Sequence, residues 1–340
     1  MLRLIELAAG DPAPPAAETG VPALDPAERL QSEPDCHLLV VDDNGRLRAR
    51  ASCWWRAVPT LPGERPGLVG HYAALDEEAA AMVLEAACTR LRREGCTVAI
   101  GPMDGSTWRR YRFVVERGNE PPFFLEPDNP DAYPRQFEAA GFGTLATYTS
   151  ALNTDLSQED SPLDPLVERF AARGIRIRPL EPASADTALR RIFALSLESF
   201  ANNFLYTPFP EAEFLEANRR LLPVLRPELV LLAEHDGGLA GFLFALPDVL
   251  ELKRVGRAST FIIKTVAVAA GRQQAGLGRL LVGLAHREGR RLGFTRAIHA
   301  LMHEDNVSRN ISRRSAATMR RYALFSKPLD AGGPGDRAVR

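Results

Sequence analysis

The sequence predicts an α/β chain, more narrowly α+β, made of two tandem units of one fold, each a mixed, largely antiparallel sheet flanked by helices. Three observations predict it. Strand-like and helix-like segments follow the same order in both halves. Leu68 to Gly95 overlays Val266 to Gly293 without a gap, setting Met82 on Leu280, Val83 on Leu281, Ala87 on Ala285 and the terminal glycines on each other. In both overlaid stretches an apolar strand feeds an amphipathic helix, in the second through the glycine-rich turn "GRQQAGLGRLL".

Residues 1–34, rich in Pro, Ala and acidic groups, read as an irregular lead-in. The first unit, 35–153, opens with strands "HLLVVDD" and "LRARASCWW", joined at the hairpin signal Asn44-Gly45. "PGLVGHYAAL" reads as a strand and "DEEAAAMVLEAACTRLRREG" as a helix with Met82, Val83, Ala86 and Ala87 on one face. The strand "TVAIGPM", the helix "DAYPRQFEAAGF" and the strand "TLATYTSAL" complete it. A polar linker, 154–162, leads to the second unit, 163–329, and 330–340 form a tail. There a strand "GIRIRPL" precedes helices "ADTALRRIFALSLESF" and "EAEFLEANRRLL". The hairpin "ELVLLAEHDGGLAGFLFALP" turns at Asp236-Gly237-Gly238. The strand "TFIIKTVAVAA", the helix "GLGRLLVGLAHREGRRLG", the strand "TRAIHALM", a short helix near Asn306 and the strand "RYALFSKPL" follow.

At 340 residues there is room for two cores, and 45% hydrophobic with 25% charged residues describes a globular protein. No uncharged run reaches the roughly 20 residues of a membrane helix. The start has no sustained apolar stretch with a cleavage site, so no secretory leader is expected and the location expected is cytoplasmic. Cys36, Cys53, Cys88 and Cys96 lack metal-ligand spacing and read as reduced structural thiols, so no metal is expected. From Glu251 onward 18 Lys+Arg face 6 Asp+Glu. That excess suits a phosphate-bearing cofactor or nucleic acid, and equally an ordinary solvated surface. No reading-helix motif or aromatic interleaving supports nucleic acid, which is not the expected partner.

A helix start exposes unpaired N–H groups and carries about half a positive charge, so it seats phosphate where side chains leave room. Gly276 and Gly278 remove Cβ atoms there, and Arg272 and Arg279 add charge. Neither GxxxxGK[ST] nor GxGxxG is matched. "VAVAAGRQQAGLGRLL" resembles the acyl-CoA motif V-x-x-x-x-[RQ]-x-x-G-x-[GA] of the GNAT N-acetyltransferase superfamily, with Gln273, Gly276 and Gly278 in its places and Ala270 where proline is common. The resemblance covers most of 174–327 and, more weakly, 36–153. With "NNFLYTPFPEAEF" and "GPMDGSTWRRYR" the whole is similar to bacterial two-domain GNAT-like proteins.

The resemblance implies that acetyl-CoA or another acyl-CoA binds the second unit. Backbone amides of Gln273, Gln274, Ala275, Gly276, Leu277, Gly278 and Arg279 would cradle the pyrophosphate, with Asn306 nearby. Val266, Ala267 and Val268 would pair with the pantetheine arm, and an amide near Val268 would polarise the thioester. In the first unit Asp76, Glu78 and Ala80 fall on Gln274, Gly276 and Gly278, and the carboxylates of "DEEA" repel a phosphate. Phe137 stands there where many members place a tyrosine, so that unit is expected to be structural or a wall of the acceptor site.

The resemblance puts Arg313 in the place of the usual proton-donating tyrosine. Ser308, Ser312, Tyr322 or water are the alternatives, and a thiolate also leaves unaided. His303 and Glu304, at the end of "AIHALMHED", are candidate bases, although such groups at a strand end are also commonly just solvated. Asn203 and Tyr206, among the aromatics of "ESFANNFLYTPFP", are expected to line the acceptor pocket or to anchor a loop. The expected activity is direct acyl transfer, most simply of acetyl, to a small-molecule or protein amine. An acyl-CoA-binding regulator without turnover is the alternative.

Overall fold

Alternating apolar and β-branched segments place thirteen strands in one continuous sheet, ordered β1-β2-β3-β4-β5-β13-β7-β12-β11-β10-β9-β8 with β6 alongside β13. The computed structural model describes residues 1–8, 11, 20–157, 163–271, 274–304 and 316–329. The N-terminal elements are β1 (Arg3–Ala8), α1 (Pro26–Gln31), β2 (Cys36–Val41), β3 (Leu47–Trp54) and β4 (Pro66–Ala74). They continue with α2 (Glu77–Arg93), β5 (Val98–Gly101), β6 (Phe113–Glu116), α3 (Ala132–Ala139) and β7 (Gly143–Asn153). Next come α4 (Asp164–Ala171), β8 (Arg176–Pro179), α5 (Ala185–Phe200), α6 (Glu211–Arg219), β9 (Val230–His235) and β10 (Gly238–Pro247). The chain closes with α7 (Val249–Val255), β11 (Thr260–Val268), α8 (Leu277–Arg291), β12 (Arg296–His303) and β13 (Ala317–Pro328).

The halves are fused by exchanged closing strands. The parallel pair β4–β5 is extended by β13, and the parallel pair β11–β12 by β7. At the centre β7 and β13 run antiparallel with Tyr148 opposite Tyr322. The apolar face of α2 covers the N-terminal sheet through Val83, Leu84, Ala87 and Leu91. That of α8 does the same for the C-terminal sheet through Leu277, Leu280, Leu281 and Ala285, while α5 and α6 pack on the opposite face. The four cysteines are buried and free. No helix among the described residues is long and apolar enough to cross a membrane.

Three sequence expectations change. The lead-in is not wholly irregular, because Arg3–Ala8 forms an edge strand on β2 and Asp25 caps the short helix α1. Helices α4 and α7 and strand β6 fall where no element is expected, each too short for a clear period. The ungapped overlay holds for the helices but not the strands. Two residues separate β4 from α2 and eight separate β11 from α8, so the second unit carries a longer loop at the glycine turn. The short helix expected near Asn306 lies outside the described residues.

Candidate active site

The parallel ladder of β11 with β12 pairs only Thr260–Ile263 with Arg296–His299. Beyond it the strands part, and Val266, Ala267 and Val268 keep β10 as their neighbour on the other side. Among the described residues the amides on the forked side therefore have no strand partner, which leaves an edge able to take an extended ligand. A bulge sits at the apex. Phe244 faces Thr265 and Ala245 faces Ile263, so Lys264 is the extra residue and its side chain enters the fork.

A cavity of about 740 Å³ opens in this fork. Its C-terminal wall holds Lys264, Val266, His299 and His303, and its N-terminal wall Trp108, Tyr111 and Tyr148. Asn203 and Tyr206 also line it. Trp108 pins their loop by stacking on Phe209 at 5.2 Å and by donating its indole N–H to Thr207 O at 2.8 Å. That loop therefore both lines the cavity and is anchored by an aromatic cluster. The His303 ring meets Tyr148 edge-on at 4.9 Å. His299 lies 3.0 Å from His286 through their Nε2 atoms, and burial holds its pKa down at about 3. In the N-terminal half the equivalent fork is filled. The β4–β5 ladder ends at Leu68, after which Met103 N–H donates to Val69 O and Asp104 accepts from the His71 N–H. The segment that plugs this first fork supplies Trp108 and Tyr111 to the second.

The glycine turn is open where its counterpart is closed. Gly276 caps α8 at φ 92 with no side-chain hydrogen bond, and Ala275 and Gly276 are exposed. The overlay sets Glu78 on Gly276, but α2 begins two residues earlier than α8, so the capping residue that corresponds to Gly276 is Asp76. Asp76 caps α2 by accepting from Ala79 N–H at 2.9 Å and is paired with Arg48. That carboxylate occupies the first-turn amides that a phosphate would need. Leu277 is buried in the core, so it contributes only backbone to the turn. Arg169 of α4, which sequence reasoning missed, donates to Ala275 O at 3.2 Å, and its Nη2 would lie 3.0 Å from a Cβ at Gly276. No motif marks Arg169, because its approach comes from a helix about a hundred residues away.

The candidate proton carriers are dispersed. Tyr322 is corrected: it is fully buried, its hydroxyl lies 3.0 Å from Ser150 Oγ and donates to Glu126, and it does not line the cavity. Burial beside the Glu126 carboxylate raises its pKa strongly. Glu304 is also turned away from the cavity lining, 3.5 Å from Arg321. His303 stands in the cavity. Gln273, Asn306, Ser308, Ser312 and Arg313 lie outside the described residues. Sequence reasoning also missed Lys264 and His299, which no motif distinguishes from other strand residues.

No protein family profile matches the chain. Over 190 residues it is 27% identical to the bacterial ceramide synthase of Caulobacter vibrioides, covering 56% of this chain and 50% of that one, so it spans about half that relative's length. Its fold is similar to a conserved protein of unknown function from Enterococcus faecalis, with a TM-score of 0.53 and 9% identity over 97% of this chain and 73% of that one. The GCN5-related glucosamine N-acetyltransferase region of a fungal β-N-acetylglucosaminidase superposes with a TM-score of 0.52 and 14% identity, covering 86% of this chain and 33% of that one. A GCN5-related N-acetyltransferase from Sphaerobacter thermophilus gives 0.50 and 15%, covering 86% and 80%. The chain has the fold of the GCN5-related N-acetyltransferase (GNAT) superfamily, built twice in tandem.

Proposed function

We propose that the chain is an acyl-CoA-dependent N-acyltransferase working in the C-terminal fork. One observation carries the reading: a strand freed from its neighbour after Ile263 leads into a helix start capped only by Gly276. The residues present fit an acyl-CoA. Exposed Ala275 and Gly276 leave backbone accessible, and Arg169 stands beside them as a cation for a diphosphate. Gln274 to Arg279, with Gln273, hold the diphosphate in this reading. Val266 to Val268 hold the arm, and an amide near Val268 donates to the thioester oxygen.

The neutral amine attacks the thioester carbonyl, a C–N bond forms, the C–S bond breaks and the electron pair leaves on sulfur. In this reading His303, which lines the cavity, accepts the amine proton, and water protonates the thiolate. Acetyl is the simplest acyl group. The partial likeness to a ceramide synthase, together with the aromatic wall, supports amines with apolar bodies. The acceptor is a small molecule in this reading, since the cavity is bounded by both halves. A second reading, a regulator that binds acyl-CoA without turnover, is favoured by the engagement of Tyr322 away from the cavity.

Thermal shift with acetyl-CoA, longer acyl-CoAs and free CoA, followed by thiol release on adding amines, tests this. Shift with release supports the transferase, shift without release the regulator, and no shift with any acyl-CoA refutes both.

A further inference from the structure

We propose that Lys264 anchors an anionic group in the cavity, so that the acceptor is an amine that also carries a carboxylate or a phosphate beside an apolar body. This rests on the proposed function only in taking the cavity as the acceptor pocket.

The placement comes first. Lys264 is the bulged residue at the apex of the fork, where the extra residue turns its side chain off the regular pleat and into the cavity. Among the described residues it has no ion pair and no hydrogen bond, and no carboxylate lines the cavity. Its side chain is exposed to the water of the cavity, and partial desolvation by the surrounding walls lowers its pKa.

A second cation stands behind the aromatic wall. Arg112 is 8% exposed, with its guanidinium 3.9 Å from the Tyr111 ring centre and 4.2 Å from that of Tyr148. Among the described residues its Nε and Nη1 have no hydrogen-bond partner. The nearby described carboxylates are engaged elsewhere: Glu304 with Arg321 at 3.5 Å, Glu213 with Arg109 at 2.7 Å, and Glu126 with Arg320 at 2.7 Å.

Positive charge with no carboxylate beside it among the described residues attracts an anion and repels a plain ammonium ion. The same charge favours the neutral form of a bound amine, which is the nucleophilic form. The aromatic wall then takes the apolar part of the molecule.

The test is calorimetric titration of the full chain with matched pairs: leucine against isoamylamine, and phosphoethanolamine against ethanolamine. The anionic member of at least one pair is expected to bind about tenfold tighter or better, and the responding pair separates carboxylate from phosphate. Lys264→Met should remove that preference and Lys264→Arg should keep it, with circular dichroism unchanged in both. In wild-type protein with 13C-methylated lysines, the Lys264 signal should titrate at higher pH once the anionic ligand is bound. Equal binding within both pairs, tighter binding of the plain amines, no binding by any of the four, or a preference that survives Lys264→Met overturns the proposal. Thiol release with isoamylamine but no anion preference would sink this inference and leave the transferase reading standing. Anion preference in a chain that binds no acyl-CoA would do the reverse.

Discussion

Asp76 and Gly276 hold the same station in the two halves, the cap of the helix that follows the forked strand, and they treat it oppositely. The Asp76 carboxylate accepts from the helix's own Ala79 N–H at 2.9 Å, whereas Gly276 offers the start of α8 no side-chain cap. A duplicated scaffold thus retains one helix start for its own carboxylate and keeps the other open.

Gly276→Asp should copy the closed state. Asn tolerates a positive φ, so Gly276→Asn isolates backbone and bulk from charge. The Asp variant is expected to weaken acetyl-CoA binding by about a hundredfold and the Asn variant by much less, with both folded. Calorimetry on the two variants checks this, and equal losses would remove the charge argument.

Arg169→Ala should reduce acyl-CoA affinity roughly tenfold, about 1.4 kcal/mol, and flatten its salt dependence, because an exposed guanidinium beside the turn is lost. Melting temperature should hardly change. Affinity that is unaltered at low salt would show that Arg169 only covers the turn.

Tyr322→Phe separates core from catalysis. The variant leaves Glu126 and Ser150 without the hydroxyl and should cost about 1–3 kcal/mol of stability. The rate of thiol release should be unchanged, whereas His303→Gln should lower it at least about tenfold with acyl-CoA binding intact. A large rate loss in Tyr322→Phe at temperatures where it stays folded would reinstate that hydroxyl.

Acid should destabilise the fold above the ordinary carboxylate range. His37, His71 and His299 are held at about 3 by burial, against an ordinary 6.5. Between these values the unfolded chain binds the protons that the native chain refuses. The stability they contribute is therefore present above pH 6.5 and is lost as pH falls toward 3, by up to about 1.4 kcal/mol per pH unit for each histidine. Asp104, raised to about 7 by burial, acts in the opposite sense but is one group against three. Urea melts from pH 7 to pH 4.5 should show falling stability, with a shallower slope in His299→Asn.

Much of the fold was legible because its signals are local. The runs at β9 and β10, the Asp236-Gly237 turn with both residues at positive φ, and the apolar faces of α2 and α8 each follow from a period or a turn residue a few positions long. The cavity was legible only in part. Asn203, Tyr206 and His303, singled out in the sequence, line it, but Lys264 reads as one more strand residue until the bulge against Phe244 and Ala245 is known. The false gapless overlay has the same origin, since helix period fixes α2 on α8 and says nothing of the loop length before them.

By itself, then, the sequence determined the duplicated strand–helix order and the glycine start of α8, because periodicity and missing Cβ atoms act between near neighbours. Only the tertiary structure decided that β7 and β13 change places, that the N-terminal fork is plugged by the segment that walls the other, that Lys264 lines the open one and that Arg169 reaches the glycine turn. Those outcomes depend on which distant surfaces bury each other, and residues far apart in the chain carry no spacing that records it.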